Sequence, residues 1–184
     1  MVDASAPPST RLLAAADDGP DAPAAAYPLV TVCVVAHNPG AWFDEVLRSL
    51  LAQDYPSLDV VVVDAASGEA VAPRVHAVIP EATVVPLLAN QGFAKNANTI
   101  LDHPGLGSYL LICHDDVALA PDCIRRLVEE TLRSNAGVVG PKLLDWDDPN
   151  RILHVGLGAD KTGLVSDLAE PGEYDQEQHD AVRD

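Results

Sequence analysis

The sequence predicts an α/β domain built on a mainly parallel sheet flanked by helices. Two runs, 29–36 (LVTVCVVA) and 58–63 (LDVVVV), are apolar and β-branched almost throughout, the pattern of strands covered on both faces. Segments with helical apolar spacing alternate with the strand-like ones, as βαβ units require. Each strand-like run also empties into a short polar loop, where a rigid scaffold holds its binding residues.

The elements follow in order. Residues 29–36 form the first strand, and His37-Asn38-Pro39-Gly40 breaks it. Phe43, Val46, Leu47, Leu50 and Leu51 recur at i, i+3, i+4, i+7 and i+8, one face of a helix. Residues 58–63 form the second strand, closed by Asp64 and the turn-like Ala65-Ala66-Ser67-Gly68. A short helix is expected over 71–79 and a third strand over 82–88. Asn90-Gln91-Gly92 opens a helix with Phe93, Ala97, Ile100 and Leu101 on one side. Residues 108–113 (SYLLIC) form the fourth strand, which ends in His114-Asp115-Asp116. Pro121 suits a helix's first turn, and Ile124, Leu127, Val128 and Leu132 give that helix its apolar face. Residues 136–139 read as a fifth, short strand before Gly140-Pro141-Lys142.

Around this domain, 28–165, the composition changes. Residues 1–27 are Ala, Pro, Asp and Ser with little apolar pattern and read as a disordered leader. Residues 166–184 carry seven acids and one Arg. They read as an acidic tail, or the start of a further segment, unable to bury a core. The domain is therefore expected to be truncated at its C-terminus, a fragment of something longer.

The 184 residues carry 11 Lys plus Arg against 28 Asp plus Glu, a net charge of −17. That balance opposes nucleic acid, which wants a basic footprint, and docking on anionic lipid. No apolar run approaches the ~20 residues of a membrane helix, and no basic stretch precedes an apolar one at the start. Cys33, Cys113 and Cys123 are too scattered for a disulfide framework or a zinc knuckle, and read as reduced thiols of a cytoplasmic protein.

Ligands of open parallel sheets bind outside the carboxyl ends of the strands, at a topological switch point. The residues there are His37 and Asn38, Asp64 and Ser67, Asn90 and Gly92, and His114, Asp115 and Asp116. Adjacent carboxylates repel, and a hard cation such as Mg²⁺ or Mn²⁺ relieves that while bridging to phosphate. The competing account of Asp115-Asp116 is a cap on the following helix. Asp64 accepts either a base or ribose hydrogen bond or the N–H groups of its own Asx-turn. Asn90 and Gly92 front a helix N-terminus suited to an anion, with Lys95 one turn in, or Asn90 is a plain cap. His37 offers a ligand or a base, or is a turn residue. Neither GxGxxG nor GxxxxGK[ST] occurs, which removes the dinucleotide oxidoreductases and P-loop proteins. Ser67 and Ser108 lack a GxSxG setting.

Four segments together resemble the family 2 glycosyltransferases, nucleotide-sugar-dependent enzymes of the Rossmann-like A-type fold. They are VTVCVVAHNP (30–39), SLLAQ with Tyr55 and VVVVD (49–64), NQGFAKNAN (90–98), and LLICHDDVAL with Pro121-Asp122 (110–122). AGVVGPKLL (136–144) is similar to the bacterial rhamnosyltransferase-like branch. The likeness covers about residues 29–158. It implies donor contacts from Ala36, Asn38, Asp64, Asn90, Gly92, Lys95 and Asp115. Asp116, matching the last Asp of the family's Asp-x-Asp motif, would hold Mg²⁺ or Mn²⁺ on the donor diphosphate, with Asp115 sharing the task. The sequence departs from the pattern at three points: His114 replaces the motif's first Asp, Ala65 a frequent second acid, and Ala97 a common basic residue.

The resemblance further implies sugar transfer with inversion from a nucleotide-diphosphate donor to a glycan or lipid-linked acceptor, in cell-envelope polysaccharide synthesis. The catalytic base is expected beyond Asp184, and any membrane association, at the inner face, through segments outside this chain. The alternative is a truncated, non-catalytic nucleotide-sugar-binding module. A response-regulator receiver would need its acidic pair after the first strand, where Ala36-His37-Asn38 stands.

Overall fold

The computed structural model describes residues 27–159, 161–170 and 172–180. The leader expected over 1–27 lies outside them except for Tyr27, which meets Tyr55 edge-on.

A four-stranded sheet of order β3-β2-β1-β4 organises the chain. Its strands are β1 (Val30–Ala36), β2 (Leu58–Asp64), β3 (Thr83–Pro86) and β4 (Tyr109–His114), and every pairing is parallel. β1 is buried along its whole length, which is why its sequence is continuously apolar. Its Val30, Val32, Val34 and Ala36 join one core layer, and Cys33 and Val35 join the other.

Helices α1 (Phe43–Leu51) and α2 (Ala72–Val78), with the short α3 (Phe93–Ala97) and a 3-10 helix (Asn98–Asp102), fill the crossovers, and α4 (Cys123–Ser134) follows β4. α1 buries Phe43, Val46, Leu47 and Leu50. Each such side chain is worth about 2 kcal/mol when fully buried, so packing rather than propensity holds so short a helix. Three leucines expected on buried faces are instead open to solvent: Leu51 at 58%, Leu101 at 61% and Leu132 at 63% exposure. Leu101 turns outward because the backbone tightens to a 3-10 helix from Asn98, and three residues per turn rotate position 101 off the helical stripe.

The fifth strand expected over 136–139 does not form. The run lies beyond the left-handed Asn135 that ends α4, and Val138 is 92% exposed. Strand pairing resumes later, in two short antiparallel ladders. β5 (Leu143–Leu144) pairs with β6 (Ile152–His154), and β7 (Leu157–Ala159) with β8 (Val165–Asp167). β8 crosses the 165/166 boundary drawn from composition.

The acidic segment that follows is described over 166–170 and 172–180. It folds back on the first ladder, with Tyr174 bridging Arg151 and the Ile152 N–H donating to the Glu173 carbonyl at 2.8 Å. Polar pairs hold it. Lys142 meets Asp175 and Asp180, and Arg151 lies over the Tyr174 ring. Its described side chains are half-buried or exposed.

Candidate functional site

In the order β3-β2-β1-β4 the winding reverses between β1 and β4, so the switch point lies where those two strands end. Their loops are joined there: the His37 N–H donates to Asp115 Oδ2 at 3.0 Å. The loop after β2 joins the same knot. The Asn38 N–H donates to Ser67 Oγ at 2.9 Å, and the Gly68 N–H donates to Asn38 Oδ1 at 2.8 Å. The His37 ring spans the Ala65 carbonyl at 2.8 Å and the Asn38 carboxamide at 3.1 Å. Asn38 and Ala66 both have positive φ, +50° and +57°, a conformation costing a residue with a Cβ about 1–2 kcal/mol. These crossed hydrogen bonds offset that cost.

Asp64 is buried, and its carboxylate accepts the Ser67 N–H at 3.0 Å and the Val71 N–H at 3.4 Å. It therefore builds the Asx-turn expected as one of its two roles, and the backbone groups it fixes line the site. Ala36 lies beneath, fully buried, with its carbonyl taken by the Ala65 N–H.

The 90–92 loop approaches from the next crossover. Asn90 Oδ1 accepts the Gly92 N–H and one Asn96 Nδ2–H, both at 2.9 Å, and the Gln91 N–H donates to Asn96 Oδ1 at 3.2 Å. Phe93, next to Gly92, stacks on His114 with centroids 3.8 Å apart and planes at 12°. That stack seats the loop beside the end of β4. α3 itself has five residues, too few for the helix-end field expected to favour an anion here. Gly92 holds φ at +90°, which only glycine adopts without strain. Lys95 is exposed on α3.

Behind the acidic pair, α1 anchors the loop. Gln53 Nε2 donates to the Ala120 carbonyl at 2.8 Å, and Gln53 Oε1 accepts the Ile124 N–H at 3.1 Å. The Leu119 N–H donates to Ser49 Oγ at 3.0 Å. One glutamine thus satisfies a free N–H at the start of α4 and ties the loop to α1. Asp115 is half-buried and Asp116 exposed. Among the described residues no cluster of three or more His, Cys, Asp or Glu side chains surrounds a metal position. Two adjacent carboxylates nonetheless fit a hard divalent cation that takes its other oxygens from phosphate and water. Below them, burial pushes the Cys113 thiol up to about 12, with Cys33 and Asp115 adding to the shift.

Two further residues shape the site without an earlier signal. Asn96 is buried, at 2% exposure. Arg74 of α2 donates to the carbonyls of Pro39 at 3.0 Å and Gly40 at 2.6 Å, pairs with Asp44 at 2.6 Å, and lies over the Phe43 ring. It fixes the loop that carries Asn38. In the sequence both are single polar residues in helical segments, where no spacing marks them.

The sequence profile of glycosyl transferase family 2 matches residues 31–170. An uncharacterized protein of Mycobacterium tuberculosis is 28% identical over 127 residues, 67% of this chain and 39% of that protein. The mannosyltransferase PcManGT from Pyrobaculum calidifontis, solved with GDP-Man and Mn²⁺, superposes with a TM-score of 0.54 at 28% identity. The match covers 67% of this chain and 38% of that one. TarS 1–349 of S. aureus in complex with UDP gives a TM-score of 0.53 at 22% identity, over 64% of this chain and 38% of its own, a likeness of fold. The chain thus spans less than two fifths of the length of each of these proteins. No helix among the described residues is long and apolar enough to cross a membrane.

Proposed function

The chain belongs to glycosyl transferase family 2, and from that premise we propose that it binds a nucleotide-diphosphate sugar at the β1/β4 switch point and serves sugar transfer with inversion to a glycan or lipid-linked acceptor. The observation that carries this reading is the junction of three loops at that point, with Asp115 bonded to the β1 loop and Asp116 open beside it. Asn38, Asp64, Asn90, Gly92 and Lys95 form the donor side, above the buried strand end at Ala36. Asp64 acts through the turn it builds as well as through its carboxylate edge.

Asp115 and Asp116 are the residues that would hold Mg²⁺ or Mn²⁺. Such a cation supplies charge neutralisation to the departing diphosphate. The chain's own part is to orient and hold. Gly92 leaves room for close approach, and the 66–68 turn and the 90–92 loop, whose N–H groups are tied to Asp64, Asn38, Asn90 and Asn96, hold their side chains at the donor without reorganising. In the transfer, the acceptor oxygen bonds to the anomeric carbon as the bond to the diphosphate breaks. The acceptor proton passes to a carboxylate base, which the family resemblance puts beyond Asp184. Residues 136–144 favour the rhamnosyltransferase-like branch and a role in cell-envelope polysaccharide synthesis, at the inner membrane face.

A second reading is a donor-binding module without turnover, supported by a site whose assigned residues all serve the donor and its cation. Incubation with UDP-GlcNAc, GDP-mannose or a dTDP-sugar, each with Mn²⁺, separates the two. Release of nucleoside diphosphate that Asp116→Asn abolishes supports the transferase. Binding without release supports the module, and neither binding nor release refutes both.

A further inference from the structure

We propose that His37 is a positioning residue of the nucleotide pocket. Its ring, with a proton on Nδ1 and a bare Nε2, carries the fixed direction of the Ala65 carbonyl to the Asn38 carboxamide. The assignment follows by elimination from one group of unambiguous chemistry. The Gly68 N–H can only donate, and it lies 2.8 Å from one corner of the Asn38 carboxamide, so that corner is the oxygen. The other corner is then the NH₂, and it meets His37 Nε2 at 3.1 Å. An NH₂ only donates, so Nε2 carries no proton. Nδ1 lies 2.8 Å from the Ala65 carbonyl oxygen, which only accepts, so Nδ1 carries the proton. The opposite tautomer would set an N–H against an NH₂ at one end and leave two acceptors facing each other at the other.

A plain turn residue needs none of this matching. Here the side chain spans from the β1 loop to the β2 loop while its own backbone N–H holds Asp115 of the β4 loop. His37 is thus one residue with bonds to all three loops of the switch point. Through the ring it keeps the Asn38 carboxamide from rotating away from Gly68, at a residue already in the left-handed region. The consequence for ligand affinity rests on the donor-binding reading above. The tautomer and its hold on Asn38 do not.

The test uses the ¹⁵N-labelled 184-residue chain at about pH 8, above the ordinary histidine range. Long-range ¹H–¹⁵N correlations are expected to show His37 protonated at Nδ1 and bare at Nε2. In His37→Leu the Asn38 side-chain amide signals should move and lose their separation. In His37→Gln, whose amide keeps one donor and one acceptor, they should stay dispersed. A proton on Nε2, or Asn38 signals indifferent to His37→Leu, would overturn the proposal. Titration with UDP or GDP plus Mn²⁺ then reads the consequence. His37→Leu should bind about fivefold more weakly, the worth of one net hydrogen bond, and His37→Gln within about twofold of wild type. Equal affinity in His37→Leu and wild type removes the functional role. A wild-type chain that binds no nucleotide refutes the donor reading, and the NMR result alone then decides the tautomer.

Discussion

Replacing Asn96 by alanine removes two hydrogen bonds from beneath the 90–92 loop, one donated to Asn90 Oδ1 at 2.9 Å and one accepted from the Gln91 N–H at 3.2 Å. Each is worth about 1 kcal/mol net. Asn90 and Gln91 are exposed, so water re-satisfies them and no desolvation penalty is added. Alanine returns about 0.5 kcal/mol as the better helix former in α3. The net cost is about 1.5 kcal/mol, which at about 2–4 °C per kcal/mol for a chain this size lowers the melting temperature by about 3–6 °C. Asn96→Asp keeps the shape and loses the donor, and it leaves a carboxylate facing Asn90 Oδ1 in a site with 2% exposure. An unpaired buried charge costs more than a lost hydrogen bond, so this variant should be the less stable at neutral pH. Thermal and urea unfolding of both variants measure the difference. An Asn96→Ala chain within 0.5 kcal/mol of wild type, taken as about the scatter of surface substitutions, or an Asn96→Asp chain more stable than Asn96→Ala, would refute the reasoning.

Other consequences are as direct. Arg74→Ala strips the donors from the carbonyls of Pro39 and Gly40 and should cost about 2 kcal/mol in urea unfolding. Arg74→Lys should recover little, because one ammonium cannot reproduce the fork. Burial pushes the Cys33 thiol up to about 11 and Cys113 to about 12, so in the native chain iodoacetamide should label both far more slowly than after denaturation. Hydrogen bonds from Gln178, the Glu170 N–H and His179 lower the Glu173 carboxyl to about 2. A folded value below the unfolded one contributes stability above the ordinary glutamate range, and that contribution is lost as pH falls through it toward 2. Hydrogen exchange of residues 172–180 should accelerate in that window ahead of the amides in β1.

The central strands were legible because burial on both faces leaves an unbroken β-branched run, and α1 because Phe43, Val46, Leu47 and Leu50 keep helical spacing. The expectation of a strand over 136–139 failed because the run leaves α4 through the left-handed Asn135 with Val138 exposed, unpaired with the edge that β4 offers. A short apolar run with two valines carries local propensity but no register. The β5–β6 and β7–β8 ladders are two or three residues long, below what alternation can signal. The loops holding the candidate site were visible as polar punctuation after strands. The pairings within them were not, because His37 with Ala65 or Arg74 with Pro39 are tens of residues apart in the chain. Only the register of β1 with β2 and β4 brings those loops together.

The central claim is that the loops of the β1/β4 switch point bind a nucleotide diphosphate together with a divalent cation. Thermal unfolding of the chain with UDP, dTDP or GDP, each with and without Mn²⁺, tests it most directly. A ligand at a hundredfold excess over its Kd stabilises the folded state by about 2.7 kcal/mol, a shift of about 5–11 °C at this chain length. The account predicts a shift of that size with one nucleotide, present only with Mn²⁺ and absent in Asp116→Asn. A cooperative transition that no nucleotide moves, with or without Mn²⁺, would contradict it.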